Sequence, residues 1–295
     1  MSKTKVSVVI VARNEAKNIE RCVGNIYRQA GDWDIDVVLV DSSSTDGTPD
    51  LACKWPVHVE IIRREDFHHG RTRNLGASLT KGDYLVFLQG DAWAADDQWL
   101  KNLLTPFAEG PHVQAVYGRQ IPKEECDPVN RFRTGWNYQG ERIDKTVAKK
   151  SELGHRLYFF STANCAIRRE VWENYRFPED IRIFEDTTFA RKIIDGGGTI
   201  VYSPVAAVVH SHNLGPKAIF QRYLDMGYVQ RKYEFMKNLG GSFRSEGMRY
   251  LKTGWKQVGE YGGFTWRLRF VWHTAVGYIG LTFGRFLHWS GKELH

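Results

Sequence analysis

Cysteine is scarce: Cys22, Cys53, Cys126 and Cys165 are scattered and form no Cys-x-x-Cys pair. This spacing supplies neither a zinc ribbon nor a disulfide framework, so a reducing, cytoplasmic setting is the expectation. The segment Met1-Ser-Lys-Thr-Lys5 leads straight into a β-branched run and lacks the apolar core and small-residue cleavage site of a secretion signal. A glycine-rich phosphate loop after the first strand is missing, and the only glycine cluster, Gly196 to Gly198, follows a helical pattern instead. That argues against a dinucleotide-dependent oxidoreductase and against a sugar nucleotidyltransferase. No nucleic-acid-binding motif accompanies the formal charge of +7, so nucleic acid is not an expected partner. The longest charge-free stretch of the aromatic C-terminal tail, Phe270 to Gly284, is 15 residues. A bilayer span needs about 20.

What the chain does have is 295 residues, 42% of them apolar, arranged as β-branched runs alternating with helical periodicity. Such a length accommodates one large domain with appendages or two modest ones. Lys5 to Ala12, Ile35 to Val40, Val57 to Ile62 and Tyr84 to Leu88 read as strands. Between the first two, Ile19, Cys22, Val23, Ile26 and Tyr27 recur at helical spacing and mark one buried face. Arg71 to Thr80 reads as a short helix. Strands alternating with helices in this way imply right-handed crossovers and a mostly parallel sheet.

Polar clusters sit at the ends of these runs: Arg13 to Glu15, Asp41 to Thr48, and Gln89-Gly90-Asp91, with Arg71 to Asn74 nearby. In open α/β sheets ligands bind beyond the carboxyl ends of the strands. Taken alone, Asp91 is equally a turn start or a cap for the helix beginning near Asp96.

Further along, a helix carries Trp99 to Phe107, and Gln114 to Gly118 reads as another strand. Pro122 to Lys150 is rich in charge and aromatics and reads as an insertion or lid outside the core. A strand-like run, Phe159 to Ile167, precedes a helix from Arg169 to Tyr175. Glu185 and Asp186 then open an amphipathic helix closing at Gly196, where acids also serve as plain N-terminal caps. Two runs, Thr199 to Ser203 and Val205 to Val209, lead into His210-Ser-His212, a pair that suits metal ligation or an ordinary surface. A helix is expected over Lys217 to Leu239. The tail, Phe264 to Trp289, mixes aromatic with basic residues and suits a helix in a membrane headgroup region, an oligomer contact, or a helix packed back on the catalytic domain.

In this order the segments resemble the family 2 glycosyltransferases of GT-A fold, over about residues 5 to 230. The residues that carry the likeness are Val6-Ser-Val-Val-Ile-Val-Ala-Arg-Asn-Glu15, Val38-Leu-Val-Asp41-Ser-Ser-Ser-Thr-Asp46-Gly, Arg73-Asn74-Leu-Gly76, Gly82 to Asp91, Glu185-Asp186 and His210 or His212. Phe67-His-His-Gly-Arg-Thr-Arg-Asn-Leu-Gly-Ala77 and His210-Ser-His-Asn213 are similar to bacterial rhamnosyltransferases of surface polysaccharide synthesis.

The resemblance implies an α/β fold: a GT-A type central sheet flanked by helices, with a C-terminal helical extension. It divides the chain into a catalytic domain, 1–215, with a donor half (1–118) and an acceptor half (119–215), and an extension, 216–295, that is membrane-interfacial or oligomer-forming. It also implies inverting transfer of a sugar, rhamnose among the candidates, from a dTDP-, UDP- or GDP-linked donor to a glycan or polyprenyl-linked acceptor, in the cytoplasm or at the inner face of its membrane. The donor set is Ala12, Arg13, Glu15, Asp41, Arg71, Arg73, Asn74, Gln89, Gly90 and Asp91. Asp91, with His210 or His212, would hold Mg²⁺ or Mn²⁺. Asp186 is the expected general base, with Glu185 orienting it or the acceptor. The family's usual Asp-x-Asp is broken here because Gln89 replaces the first acid, which leaves a degenerate, non-catalytic scaffold or basic binding protein as the alternative.

Overall fold

The computed structural model describes residues 3–181, 183–232 and 243–289. The order begins β1 (Thr4–Ala12), α1 (Ile19–Tyr27), β2 (Trp33–Asp41), α2 (Thr48–Ala52), β3 (Val57–Ile61), α3 (His69–Ser78), β4 (Tyr84–Gln89), β5 (Trp93–Ala94), α4 (Trp99–Leu104) and β6 (Val113–Ile121). It continues with α5 (Pro128–Asn137), β7 (Ile143–Lys145), α6 (Lys150–Leu153), β8 (Asn164–Arg168), α7 (Arg169–Tyr175), α8 (Glu185–Asp195), β9 (Thr199–Val209), α9 (Pro216–Lys232) and α10 (Phe243–Trp289). The continuation of α9 expected over 233–239 lies outside the described residues, as do 290–295 of the expected extension.

One mixed sheet runs β3-β2-β1-β4-β8-β6-β9-β5, with β7 added against β9. The parallel part is β3-β2-β1-β4 together with the β6–β9 pair, and β8 reverses direction between β4 and β6. Strands β1 and β4 are buried on both faces, consistent with their unbroken apolar runs. Ile19, Cys22, Val23 and Ile26 of α1 join β1, β2 and β4 in the main core, as their spacing predicts. Helix α3 lies close on the sheet because Gly76 has no side chain; a Cβ there would come within 2.4 Å of Val9 Cγ1.

The chain separates into two compact units. The first comprises 1–121, 139–149 and 157–210 and contains the whole sheet. The second comprises 122–138, 150–156 and the described residues from Ser211 on, and it is helical. Within it, Val129 and Phe132 of α5 pack with Val258 and Phe270 of α10.

The reading of 122–150 as an insertion outside the core is therefore corrected. Its aromatic residues build the core of the second unit, and Ile143–Lys145 pairs with β9 in the first. No helix among the described residues is long and apolar enough to cross a membrane.

The runs at 199–203 and 205–209 form one strand with an irregularity. Against β6, Gly118 pairs with Ser203 but Gln120 pairs with Val208, so residues 204–207 bulge out around Pro204, which has no N–H to donate. The buried Asn164 side chain bridges the gap, donating to the carbonyls of Arg119 (3.1 Å) and Ala206 (2.8 Å). Its own oxygen accepts from Trp99 Nε1 at 2.9 Å.

Gly76→Ala should overpack the α3–β1 contact and lower stability by about 1–3 kcal/mol. Urea unfolding should show a lower midpoint at unchanged slope.

Candidate active site

Parallel pairing sets the first part of the site. Val11 stands opposite Gln89 and Ala12 opposite Asp41, so the ends of β2, β1 and β4 form one edge. Gly90 donates its N–H to Val11 O at 3.0 Å, and a Cβ on it would come within 2.6 Å of the Ala12 Cβ. Only glycine lets the chain turn into Asp91 so close to β1.

Beyond this edge two loops are stitched together. Asp41, fully buried, accepts from the backbone N–H of Ser44 at 2.7 Å and from the Ser44 hydroxyl. Asn14 N–H donates to Ser44 Oγ (2.8 Å), Thr45 N–H to Asn14 Oδ1 (2.9 Å), Glu15 N–H to Thr48 Oγ1 (2.7 Å) and Ala16 N–H to Asp46 Oδ2 (3.0 Å). Asn14 and Ser43 hold positive φ, 55° and 53°, a conformation non-glycine residues keep only where the surroundings impose it. Glu15 is half-buried and accepts from Asn18 Nδ2, while Arg13 is exposed.

The second part comes from β5 and β9. Two residues after Asp91, Trp93 pairs with Val209, the residue before His210. On the other side of β9, Ile121 pairs with the same Val209 and accepts from His210 N–H at 2.9 Å. These pairings bring His210 Nε2 to 3.3 Å from Asp91 Oδ1, both side chains being buried. His212, two residues on and exposed, offers a third ligand atom, and the three atoms all lie within 4.8 Å of one another.

The neighbour that sequence reasoning missed is Gln120. Its Nε2 donates to Ser161 Oγ at 2.9 Å, which turns its Oε1 to His210 Nδ1 at 2.8 Å. Gln120 thus holds the ring through Nδ1 and leaves Nε2 as the nitrogen that faces Asp91, the kind of support from behind that orients a metal-binding histidine. A lone glutamine in a strand gives no sequence signal for such a role. Beneath the site, burial and then the charge of Asp91 push the Cys22 thiol up, so it remains protonated; its Sγ lies 3.7 Å from Gln89 O.

Arg73 and Asn74 are held differently from the donor-binding expectation. Arg73 is buried, and its Nη1 meets Glu185 Oε1 at 2.7 Å and the His69 carbonyl at 3.0 Å. Asn74 donates to Phe177 O and Glu179 Oε1 (both 2.9 Å) and accepts from Trp172 Nε1 (3.0 Å) and Phe177 N–H (3.1 Å). Both amide donors and both acceptor sites of Asn74 are thereby used within the protein. Arg71 is exposed, 3.6 Å from Glu179. Gln89 is half-buried at the end of β4.

The acidic pair also divides. Glu185 is buried against Arg73, whereas Asp186 is half-exposed in the first turn of α8 and accepts from Thr187 N–H at 2.7 Å. Phe184, just before them, has φ 67°. Holding a bulky residue there costs of order 1–3 kcal/mol and fixes the angle at which α8 starts.

A family model for glycosyl transferase family 2 matches residues 7–176, more than half of the chain. The chain belongs to that family. This glycosyltransferase is 33% identical over 261 residues to the O-antigen chain rhamnosyltransferase RfbN of Salmonella typhimurium, covering 88% of this chain and 82% of that one. To the O-antigen chain rhamnosyltransferase WbaN of Salmonella anatum it is 32% identical over 260 residues, covering 88% and 81%.

Among solved structures it is similar to the mannosyltransferase PcManGT from Pyrobaculum calidifontis in complex with GDP-Man and Mn²⁺, with a TM-score of 0.62 at 19% identity over 99% of this chain and 89% of that one. TarS 1–349 of S. aureus in complex with UDP-GlcNAc gives 0.56 at 14% identity, covering 99% and 93%. At those identities the structural likeness establishes the GT-A fold of the glycosyltransferase and nothing finer.

Removing one partner of a buried ion pair leaves an uncompensated charge. Glu185→Ala should therefore lower stability by roughly 3–5 kcal/mol in chemical denaturation, whereas Asp186→Asn, half-exposed, should change it by less than about 1 kcal/mol.

Proposed function

We propose that this glycosyltransferase moves a rhamnosyl unit, with inversion, from a nucleoside-diphosphate donor to a glycan on a polyprenyl carrier, acting in the cytoplasm at the inner face of the membrane. The observation that carries the reading is Asp91 facing His210 at 3.3 Å, with Gln120 behind it, in a chain 33% identical to an O-antigen chain rhamnosyltransferase over most of both lengths.

The donor set fits a divalent cation. A carboxylate and imidazole nitrogens facing one another are electron-pair donors that suit a shared positive charge. With two imidazoles in place of a second carboxylate, Mn²⁺ fits better than Mg²⁺, which favours oxygen ligands. Asp91, His210 and His212 would hold it. The histidines then answer the missing first acid of Asp-x-Asp, and Gln89 is left to hydrogen-bond a ribose hydroxyl. Bound there, the cation supplies positive charge for the departing diphosphate.

The remaining work falls to the chain itself. The Asn14 to Ala16 and Ser42 to Thr48 loops hold the nucleoside, and Asp41, fully buried beneath them, fixes the Ser44 turn through both carboxylate oxygens. Arg13, Glu15 and Arg71 border this edge and meet ribose and phosphate. Asp186 takes the proton from the acceptor hydroxyl as that oxygen attacks the anomeric carbon, and the nucleoside diphosphate leaves from the opposite side. Arg73 and Asn74 act at one remove: Arg73 clamps Glu185, and Asn74 fixes the segment at Phe177 to Glu179.

Asp91→Asn should abolish both Mn²⁺ binding, measured by isothermal titration, and rhamnosyl transfer, assayed with dTDP-, UDP- and GDP-linked rhamnose. Gln120→Leu should weaken Mn²⁺ binding by about 10–100-fold while the circular dichroism spectrum is kept. Unchanged Mn²⁺ affinity in either variant would count against this site.

A further inference from the structure

The second unit presents an apolar surface that sugar transfer does not use. Gly263, with φ 76°, breaks α10, and the arm beyond it, 264–289, has two unlike faces. One packs on α9 at close range: a Cβ at Gly284 would come within 2.0 Å of Leu224 O, and one at Gly280 within 2.6 Å of Phe220 O. Phe270, His273 and Val276 are buried on this side. The other face carries Phe264, Leu268, Trp272, Ile279, Phe283 and Phe286, each 48–64% exposed. Their spacing of three, four and seven residues places them along one stripe of the helix. An exposed apolar stripe this long marks an interaction site.

Charge selects the occupant. From Tyr261 to Trp289 the chain contains Arg267, Arg269 and Arg285 and no Asp or Glu. A second copy of the same arm would bring the same positive charges to the contact. An anionic lipid surface is complementary to them and also accepts Trp and Tyr at headgroup depth. The arm is too polar to cross a bilayer, which leaves it lying in the interface.

We propose that the exposed face of the 264–289 arm docks this enzyme onto anionic membrane lipid, inserting its aromatic and aliphatic side chains among the headgroups with the arginines beside them. This deepens the lipid-linked acceptor reading, yet it rests on the arm alone and can be tested apart from transfer. The test is flotation of the full chain with vesicles of phosphatidylcholine alone or of phosphatidylcholine mixed with phosphatidylglycerol. Strong flotation is expected only with the mixed vesicles, falling at least about tenfold in high salt and in the variant carrying Trp272→Glu and Ile279→Glu. Both positions are exposed, so circular dichroism and transfer to a water-soluble acceptor should stay at the parent level. Retention of that activity separates a failure of docking from a failure of the transferase reading. The proposal is overturned if the parent chain does not float with the mixed vesicles or if the variant floats as well as the parent. It is likewise overturned if the stripe mediates only self-association, seen as a dimer in sedimentation that the variant loses without any vesicle binding.

Discussion

The double pairing at the end of β9 is the constraint on which the candidate metal centre depends. Val209 stands between Trp93 of β5 on one side and Ile121 of β6 on the other. Asp91 is fixed by the first pairing, Gln120 belongs to the strand of the second, and His210 is the next residue of β9 itself. Three side chains from distant parts of the sequence meet because one backbone segment is hydrogen-bonded on both edges. Backbone pairing of this kind is rigid, which is what a site needs if ligand atoms are to be held to fractions of an ångström.

That arrangement has a structural cost that the sequence pattern disguises. To bring Val208 and Val209 into register with Gln120 and Ile121, β9 sets four residues, 204–207, against the single Arg119 of β6, a register shift of three around Pro204. The carbonyls freed there are satisfied by Asn164, a fully buried amide anchored by Trp99. An unpaired buried carbonyl costs about 1–3 kcal/mol, so Asn164 keeps the bulge stable. Bulges of this sort re-aim side chains beside active sites.

The sequence made the parallel part of the fold plain because its signals are local and redundant. Strands β1 and β4 are unbroken apolar runs, and α1 shows its buried face through residues three and four apart. The same holds for the glycine and the acid at the end of β4, and for the acidic start of α8. Elsewhere the deciding contacts are remote. The aromatics around Phe132 look like surface decoration until α10, more than a hundred positions later, covers them. Gln120 acquires meaning only from Ser161 and His210. Arg73 and Asn74 carry the marks of ligand-binding groups, but whether such a side chain turns outward or inward depends on Glu185 and Phe177, over a hundred positions away.

Gln89 stands at the first acidic position of the Asp-x-Asp pattern and carries no charge. The buried carboxylate of Asp91 faces His210, which Gln120 holds from behind, so on the proposed metal-binding reading a second negative charge at position 89 is not required. Replacing a charged ligand by neutral imidazoles lowers the negative charge that must be buried when no cation is bound, and isolated buried charge is the costlier state. It also shifts the preference from the hardest oxygen-seeking ions toward those that accept nitrogen. On the proposed metal-binding reading, the departure from Asp-x-Asp is a change of ligand type, made workable because β9 delivers His210 to the place where the turn after β4 carries one acid, Asp91.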